Sequence, residues 1–196
     1  MIIGVDGNEA NVREKVGVSV YTLKHLFYFQ KHATSNLRFI VYLKKPPFND
    51  LPDETAYFKY KVVNGSFLWS QIFLPLELFK NLFIKDRIKV FFSPAHYSPR
   101  FCFCPAVVTI HDIAYLHYPD EFLKKDLYQL KNWTDYSLHN ATKIITVSKT
   151  TKKDVMRFYH TPENKIEVIY NGFEKEINDQ MVTGTGGEMT PPITSP

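Results

Sequence analysis

The chain is most informative first through what it lacks. It has only two cysteines, Cys102 and Cys104. One Cys-x-Cys pair without a second pair elsewhere makes a poor zinc site. In an extended segment both thiols point to one face, which reads as two buried thiols in a reducing compartment. No dense Lys/Arg run is present, so nucleic acid is not an expected partner. The most apolar stretch, residues 67–84, is broken by Gln71, Glu77, Lys80 and Asn81. A spanning helix needs about 20 mostly apolar residues, so this stretch is not expected to cross a bilayer. No secretory signal is visible at the start, where Ile2-Ile3-Gly4-Val5 is only strand length and Asp6 follows. A cytoplasmic location is therefore expected, with peripheral contact at the inner membrane face left open.

Motif absences exclude several chemistries. Gly4-Val5-Asp6-Gly7 lacks the G-x-G-x-x-G spacing of a dinucleotide site. That argues against a nucleotide-dependent oxidoreductase. No G-K-[ST] marks a Walker loop, and no G-x-S-x-G marks a hydrolase elbow. No paired carboxylates point to glycoside hydrolysis. No metal-ligating cluster is evident, so neither a metal nor another cofactor is expected. No internal repeat is found.

What is present describes an ordinary folded domain. The chain has 196 residues, 44% hydrophobic and 22% charged, enough for one domain with a real core. Its net charge is +4 and its pI about 8.9. That mild basicity fits an acidic ligand such as a nucleotide diphosphate, or an anionic membrane surface. An ordinary solvated surface is the simpler explanation.

Apolar runs alternate with helical patterns along the chain. Strands are predicted at residues 2–5, 38–43, 57–63, 89–92, 106–110, 143–147 and 166–169. A helix is predicted from Gly17, with Val20, Leu23 and Phe27 at i, i+3 and i+7 and Leu26 beside them. A long amphipathic segment runs to about Lys85, with Pro75 starting or kinking a helix. Another helix is predicted from Glu121 to about Leu138, with Leu123, Leu127, Leu130 and Leu138 on one side. Ser148 is a good N-cap for a helix ending near His160, and Thr161-Pro162 stops it. This alternation predicts an α/β, Rossmann-like, doubly wound and largely parallel sheet with helices on both faces. Residues 174–196 are rich in Gly, Pro and Thr and read as a disordered tail after a domain at 1–173.

Four constellations could carry chemistry. Lys15-Val16-Gly17-Val18-Ser19-Val20-Tyr21 places a glycine at a helix start, where unpaired amides favour an anion. A glycine needed only for a turn explains it as well. His111-Asp112 follows the fifth predicted strand, at the end of a parallel sheet where ligands bind. A histidine there can donate to a sugar hydroxyl or act as a base. Neighbours in an extended segment point apart, so Asp112 is not automatically its partner. His117-Tyr118-Pro119-Asp120-Glu121-Phe122 reads mainly as helix initiation, with a crevice role for His117 as the alternative. Ser93-Pro94-Ala95-His96-Tyr97-Ser98-Pro99 is a loop stiffened by two prolines. Its His96 and Tyr97 suit an acceptor pocket, and a rigid connector is the plain alternative.

Taken in order, these segments resemble the N-terminal, acceptor-side domain of family 4 retaining glycosyltransferases, which have a two-domain B-type fold. Ile2-Ile3-Gly4-Val5-Asp6 looks like that family's first strand, and Val16-Gly17-Val18-Ser19-Val20-Tyr21 like its glycine-rich loop. Phe91-Phe92-Ser93-Pro94 is similar to its fourth strand and loop. Val108-Thr109-Ile110-His111-Asp112 and Tyr118-Pro119-Asp120-Glu121-Phe122 resemble its strand–histidine motif. Ile144-Ile145-Thr146-Val147-Ser148 and Val168-Ile169-Tyr170-Asn171-Gly172 look like its closing strands. The resemblance implies sugar transfer from a nucleotide-diphosphate donor to a saccharide or lipid-linked acceptor, without a metal. It implies that His111 contacts the transferred sugar. Gly17, Val18 and Ser19 would bring backbone amides to the donor diphosphate or the acceptor. His96, Tyr97, Asp112 and His117 are carried as further substrate-binding candidates.

Two departures stand out. Val16 and Ser19 occupy positions where that loop commonly has glycine. The donor-binding half, with its E-x7-E motif, is not found after Gly172, since Glu174, Glu176 and Glu188 lack the spacing. The chain is therefore expected to be half an enzyme, needing a donor domain, as a partner chain or otherwise. A non-catalytic module that binds saccharide or a membrane surface is the alternative.

Overall fold

The computed structural model describes residues 1–65, 68–95 and 97–172. Seven strands form one sheet: β1 (Ile2–Asp6), β2 (Arg38–Leu43), β3 (Phe58–Val62), β4 (Val90–Ser93), β5 (Ala106–Ile110), β6 (Lys143–Thr146) and β7 (Ile166–Val168). Their order is β3-β2-β1-β4-β5-β6-β7, and every pairing is parallel. The chain winds outward from β1 to β3, then crosses back to β4 and winds the other way. This is the doubly wound arrangement, with its reversal between β1 and β4.

Strand β2 shows why the sheet is buried on both sides. Phe39, Val41 and Leu43 pack with Leu26 of α1 (Gly17–His32). The alternate residues Ile40 and Tyr42 pack with Leu74 and Leu78 of α2 (Leu74–Lys80). A period of two thus feeds two cores, so the strand reads as a continuous apolar run. Beyond β5, Val108, Ile110, Ile144 and Ile166 pack with Leu138 of α4 (Lys124–Asn140) and Val155 of α5 (Lys149–Tyr159). A single short turn, α3 (Ala114–His117), sits between β5 and α4.

Three sequence expectations are corrected. The buried face of α1 is Ser19, Thr22 and Leu26, whereas Val20 and Phe27 are exposed. Thr22 Oγ1 donates to Val18 O at 2.9 Å, so its hydroxyl enters the core already satisfied, which apolar periodicity does not register. The helix predicted from Glu121 begins at Lys124. Pro119–Glu121 is a separate 3-10 turn, and Leu123 is exposed outside the helix. The segment around Pro75 is one helical path in three geometries: a π-turn at Trp69–Phe73, then α2, then a 3-10 turn at Asn81–Phe83. The tail expectation and Phe173 lie outside the described residues.

Other local signals agree with the structure. Cys102 and Cys104 lie half-buried on one side of the β4–β5 connection, with sulfurs 3.7 Å apart. Ser148 caps α5 by accepting from Thr151 N at 2.9 Å. His160, in the left-handed region at φ 51°, ends that helix. Ser148→Ala is expected to cost about 1 kcal/mol, read as a shift in the urea unfolding midpoint with an unchanged slope.

Candidate active site

Open parallel sheets bind ligands outside the carboxyl ends of their strands, where the winding reverses. Here those tips are Asp6, Ser93 and Ile110 with the loops that follow them. Two clefts are found near these tips.

The first cleft, about 200 Å³, is lined by Asp6, Asn8, Glu9, Lys44, Trp69, Ser70, Ala95 and Tyr97. It is assembled by local hydrogen bonds. Asp6 Oδ1 accepts from Asn8 N at 3.1 Å and from Asn8 Nδ2 at 2.9 Å. Asn8 Oδ1 in turn accepts from Lys44 N at 2.7 Å, which locks the tip of β1 to the tip of β2. Gly7 lies between them because a Cβ there would come within 2.4 Å of Val41 Cγ1. Farther along the loop, Asn11 Nδ2 donates to the carbonyls of Lys45 and Pro46, and Lys15 pairs with Asp50. Trp69 is fixed by its indole N–H to Val63 O at 2.7 Å. Tyr97 stands edge-on to Trp133, with ring centres 5.4 Å apart.

The electrostatics of this cleft are unusual for so small a space. Burial pushes the Asp6 carboxyl up to about 6, against the lowering effect of the Asn8 bonds. Burial also raises Glu9 and the Tyr97 phenol. Two carboxyl groups and an aromatic hydroxyl therefore share one poorly solvated pocket, a recurrent property of functional sites. Asp6, Glu9 and Trp69 belong to none of the motifs that the sequence offers as candidate sites. Asp6 directly at a parallel strand's end was the available signal.

The second cleft, about 560 Å³, is lined by Gly17, Val20, Tyr21, Lys24 and His25 of α1 and by residues 169–172 after β7. No side chain caps the start of α1; Ser19 N and Val20 N turn back to Val16 O. The amides of Gly17 and Val18 remain at the helix start, which carries a partial positive charge. A turn does not demand glycine at position 17, since no described glycine has positive φ. Among the described residues, beyond its chain neighbours and its own helix backbone, nothing lies within 4 Å of where its Cβ would be.

His111 contacts residues at or beside both clefts. Its Nε2 donates to Pro94 O at 2.8 Å, at the root of the loop that carries Tyr97. Its ring meets the Tyr21 ring edge-on at 4.7 Å. Thr151 Oγ1 of α5 donates to His111 O at 3.1 Å. The Tyr21 ring centre lies 4.2 Å from that of His25, tilted at 44°, and His25 Nδ1 donates to Tyr21 O at 2.8 Å. Burial holds His111 below the usual histidine value, so near neutral pH it is an uncharged imidazole with its proton on Nε2. Charging it costs folding energy, and that cost grows as pH falls below the unfolded histidine value near 6.5.

The structure thus brings His111, Gly17 and Tyr97 to the same strand tips. The other named residues fall elsewhere. Ser19 is buried beneath α1, since its helical position faces the sheet rather than the cleft. Val18 is half-buried and outside the lining of either cleft. Asp112 Oδ1 accepts from Ala114 N at 3.0 Å and so starts α3. His117 Nε2 pairs with Asp154 Oδ2 of α5 at 2.9 Å and stands edge-on to Phe158, away from the lining of either cleft. His96 lies outside the described residues. Tyr21 and His25 were not singled out as site residues; their spacing of four and eight from Gly17 puts them along one helix side.

Comparison with known proteins agrees with this architecture. The family model for Glycosyltransferase Family 4 matches residues 17–176. The O-antigen chain mannosyltransferase RfbU of Salmonella typhimurium is 34% identical over 68 residues, covering 35% of this chain and 19% of that protein. An uncharacterized glycosyltransferase of Methanocaldococcus jannaschii, MJ1607, is 44% identical over 45 residues, covering 21% and 12%. The structure of Anabaena HepE in complex with UDP-glucose superposes with a TM-score of 0.53 at 15% identity, over 88% of this chain and 44% of that one. Its complex with UDP and glucose gives 0.51 over the same shares. The chain therefore spans less than half the length of the proteins it matches.

Proposed function

The chain belongs to glycosyltransferase family 4, and from that premise we propose that it is the acceptor-side domain of a retaining glycosyltransferase. Its reaction would move a sugar from a nucleotide-diphosphate donor to a saccharide or lipid-linked acceptor. The acceptor oxygen bonds to the anomeric carbon while the bond from that carbon to the diphosphate breaks. The hydroxyl proton leaves with the diphosphate.

One observation carries the reading: on the tips of a doubly wound sheet, His111 bonds to Pro94, next to Ala95 of a carboxyl-lined cleft, and meets Tyr21 of a cleft at a helix start. The cleft of Asp6, Glu9, Trp69 and Tyr97 suits an acceptor. Carboxylate oxygens accept from sugar hydroxyls, and aromatic faces pack against the apolar faces of sugar rings. The cleft of Gly17 and Tyr21 suits the donor side, because first-turn amides and Lys24 favour the diphosphate. His111, neutral and oriented by Pro94, sits where the transferred sugar would lie between them. Catalysis is then chiefly orientation and stabilisation of the departing diphosphate. The donor class follows the nucleotide-diphosphate sugar held by the similarly folded HepE.

In this reading residues 1–173 are the acceptor-side domain, and turnover requires a donor-binding domain. Among the described residues no helix is long and apolar enough to cross a membrane. The reading takes the reaction to be cytoplasmic, with peripheral contact at the inner membrane face left open. The test is reconstitution. The chain is mixed with family 4 donor-binding domains, a radiolabelled nucleotide sugar and a panel of saccharide acceptors. Sugar incorporation that needs both halves is the expected result. Acceptor binding that no donor domain converts to turnover would instead identify a non-catalytic saccharide-binding module. Absence of both binding and turnover would refute both readings.

A further inference from the structure

The helical path from Trp69 to Phe83 is apolar on two sides. One side is buried: Trp69, Leu74 and Leu78 join the core beneath the sheet. On the other, Ile72, Leu76, Phe79 and Phe83 recur at spacings of four, three and four, one stripe at helical period. All four are exposed, Phe83 at 76%. An apolar helix face is normally covered; among the described residues this second face is met by Phe103 but left largely exposed. The stripe continues into the chain before β5, where Phe103 meets Phe79 with ring centres 5.0 Å apart. Phe101, two residues earlier, is 67% exposed and holds φ at 52°, a backbone region that bulky residues avoid.

The charge around the stripe is net positive. Residues 76–89 carry Lys80, Lys85, Arg87 and Lys89, all exposed. Arg87 and Lys89 line a small pocket together with Leu82 and Phe103. The two carboxylates of that stretch are occupied. Glu77 is bridged by Lys61 at 2.6 Å and Lys80 at 3.0 Å, and Asp86 is bridged by Arg38 at 3.0 Å. Exposed aromatics rimmed by cations match an interfacial membrane contact, in which rings enter the headgroup boundary and cations meet anionic lipid. A second copy of the chain fits poorly, because a two-fold contact would set like charges opposite each other.

We infer that this stripe docks the domain on an anionic lipid bilayer. Its Phe79–Phe83 end lies beside the residues that lead into β4 and β5, whereas the path's other end, at Trp69, lines the first cleft; docking through the Phe83 end leaves that cleft open. The inference is independent of the proposed reaction.

The test is flotation of the full chain with vesicles of phosphatidylcholine, with or without roughly one-third phosphatidylglycerol. The chain is expected to float with the anionic vesicles, to stay down with neutral ones, and to be released by salt. Replacing both Lys85 and Arg87 by Gln lowers partitioning about 30-fold, from about 1 kcal/mol per cation. Phe83→Ser lowers it about tenfold. Thermal melting is unchanged in both variants, because the side chains are exposed. Three results would overturn the inference: no flotation, flotation indifferent to lipid charge and to Phe83→Ser, or a concentration-dependent dimer that Phe83→Ser dissolves.

Discussion

Asp6→Asn stabilises the fold at pH 8 by about 2 kcal/mol while weakening acceptor use by roughly ten- to a hundredfold. The two effects have one cause. Burial lifts the Asp6 carboxyl from an ordinary value of 3.8 to about 6. The folded state therefore holds its proton more tightly than the unfolded chain does. Its contribution to stability is fully present below the unfolded value, near 3.8, and is lost as pH rises through about 6. At pH 8 the fold carries an ionised carboxylate in a poorly solvated pocket, and the amide removes that cost. Both Asn8 bonds go to Oδ1, so an amide oxygen can take them over and the loop keeps its shape. Only the anionic acceptor of hydroxyl hydrogen bonds is lost, and such charge-assisted bonds are strong.

Urea unfolding at pH 8 and pH 4 measures the first effect, which should shrink toward zero at the lower pH. In the reconstituted transferase, the second appears as a raised KM for the acceptor with the donor KM unchanged. Wild-type acceptor binding should also weaken as pH falls through about 6, a limb that Asp6→Asn abolishes. A variant that is less stable at pH 8, with an unaltered acceptor KM, would make Asp6 a structural residue.

His111→Ala is expected to lower kcat in the reconstituted enzyme at least about a hundredfold, the usual scale for losing one oriented donor or base. His111 also ties β5 to the Pro94 loop, to Tyr21 of α1 and to Thr151 of α5, so part of that loss is misplacement. His111→Gln separates the two contributions. Its side-chain amide can still donate to Pro94 O, which preserves the loop, but it offers no imidazole to the sugar. Thermal melts near wild type for the Gln variant with kcat still depressed assign His111 to the reaction. Full recovery of kcat in the Gln variant would reduce its role to holding the loop that carries Tyr97.

The fold was legible because local patterns and global topology agree. Runs such as Phe39–Leu43 are apolar or aromatic at every position, which a parallel sheet covered on both faces requires. Ser148 and Thr161-Pro162 bound α5 as capping chemistry predicts. Legibility failed where hydroxyls replace apolar residues on a buried face, as with Ser19 and Thr22, and where one helical path serves two surfaces, as at 69–83.

By itself, then, the order of strands and helices determined the doubly wound architecture, and with it the end of the sheet where ligands bind. Which side chains meet there was settled only by tertiary structure. Asp6 and Tyr97 lie 91 positions apart in the chain and share a cleft because the sheet reverses between β1 and β4. His117 follows His111 by one short turn, yet is drawn aside to Asp154. The physical reason is range. Propensity, capping and periodicity act over a few residues, whereas desolvation and the meeting of distant side chains depend on which strands lie next to each other.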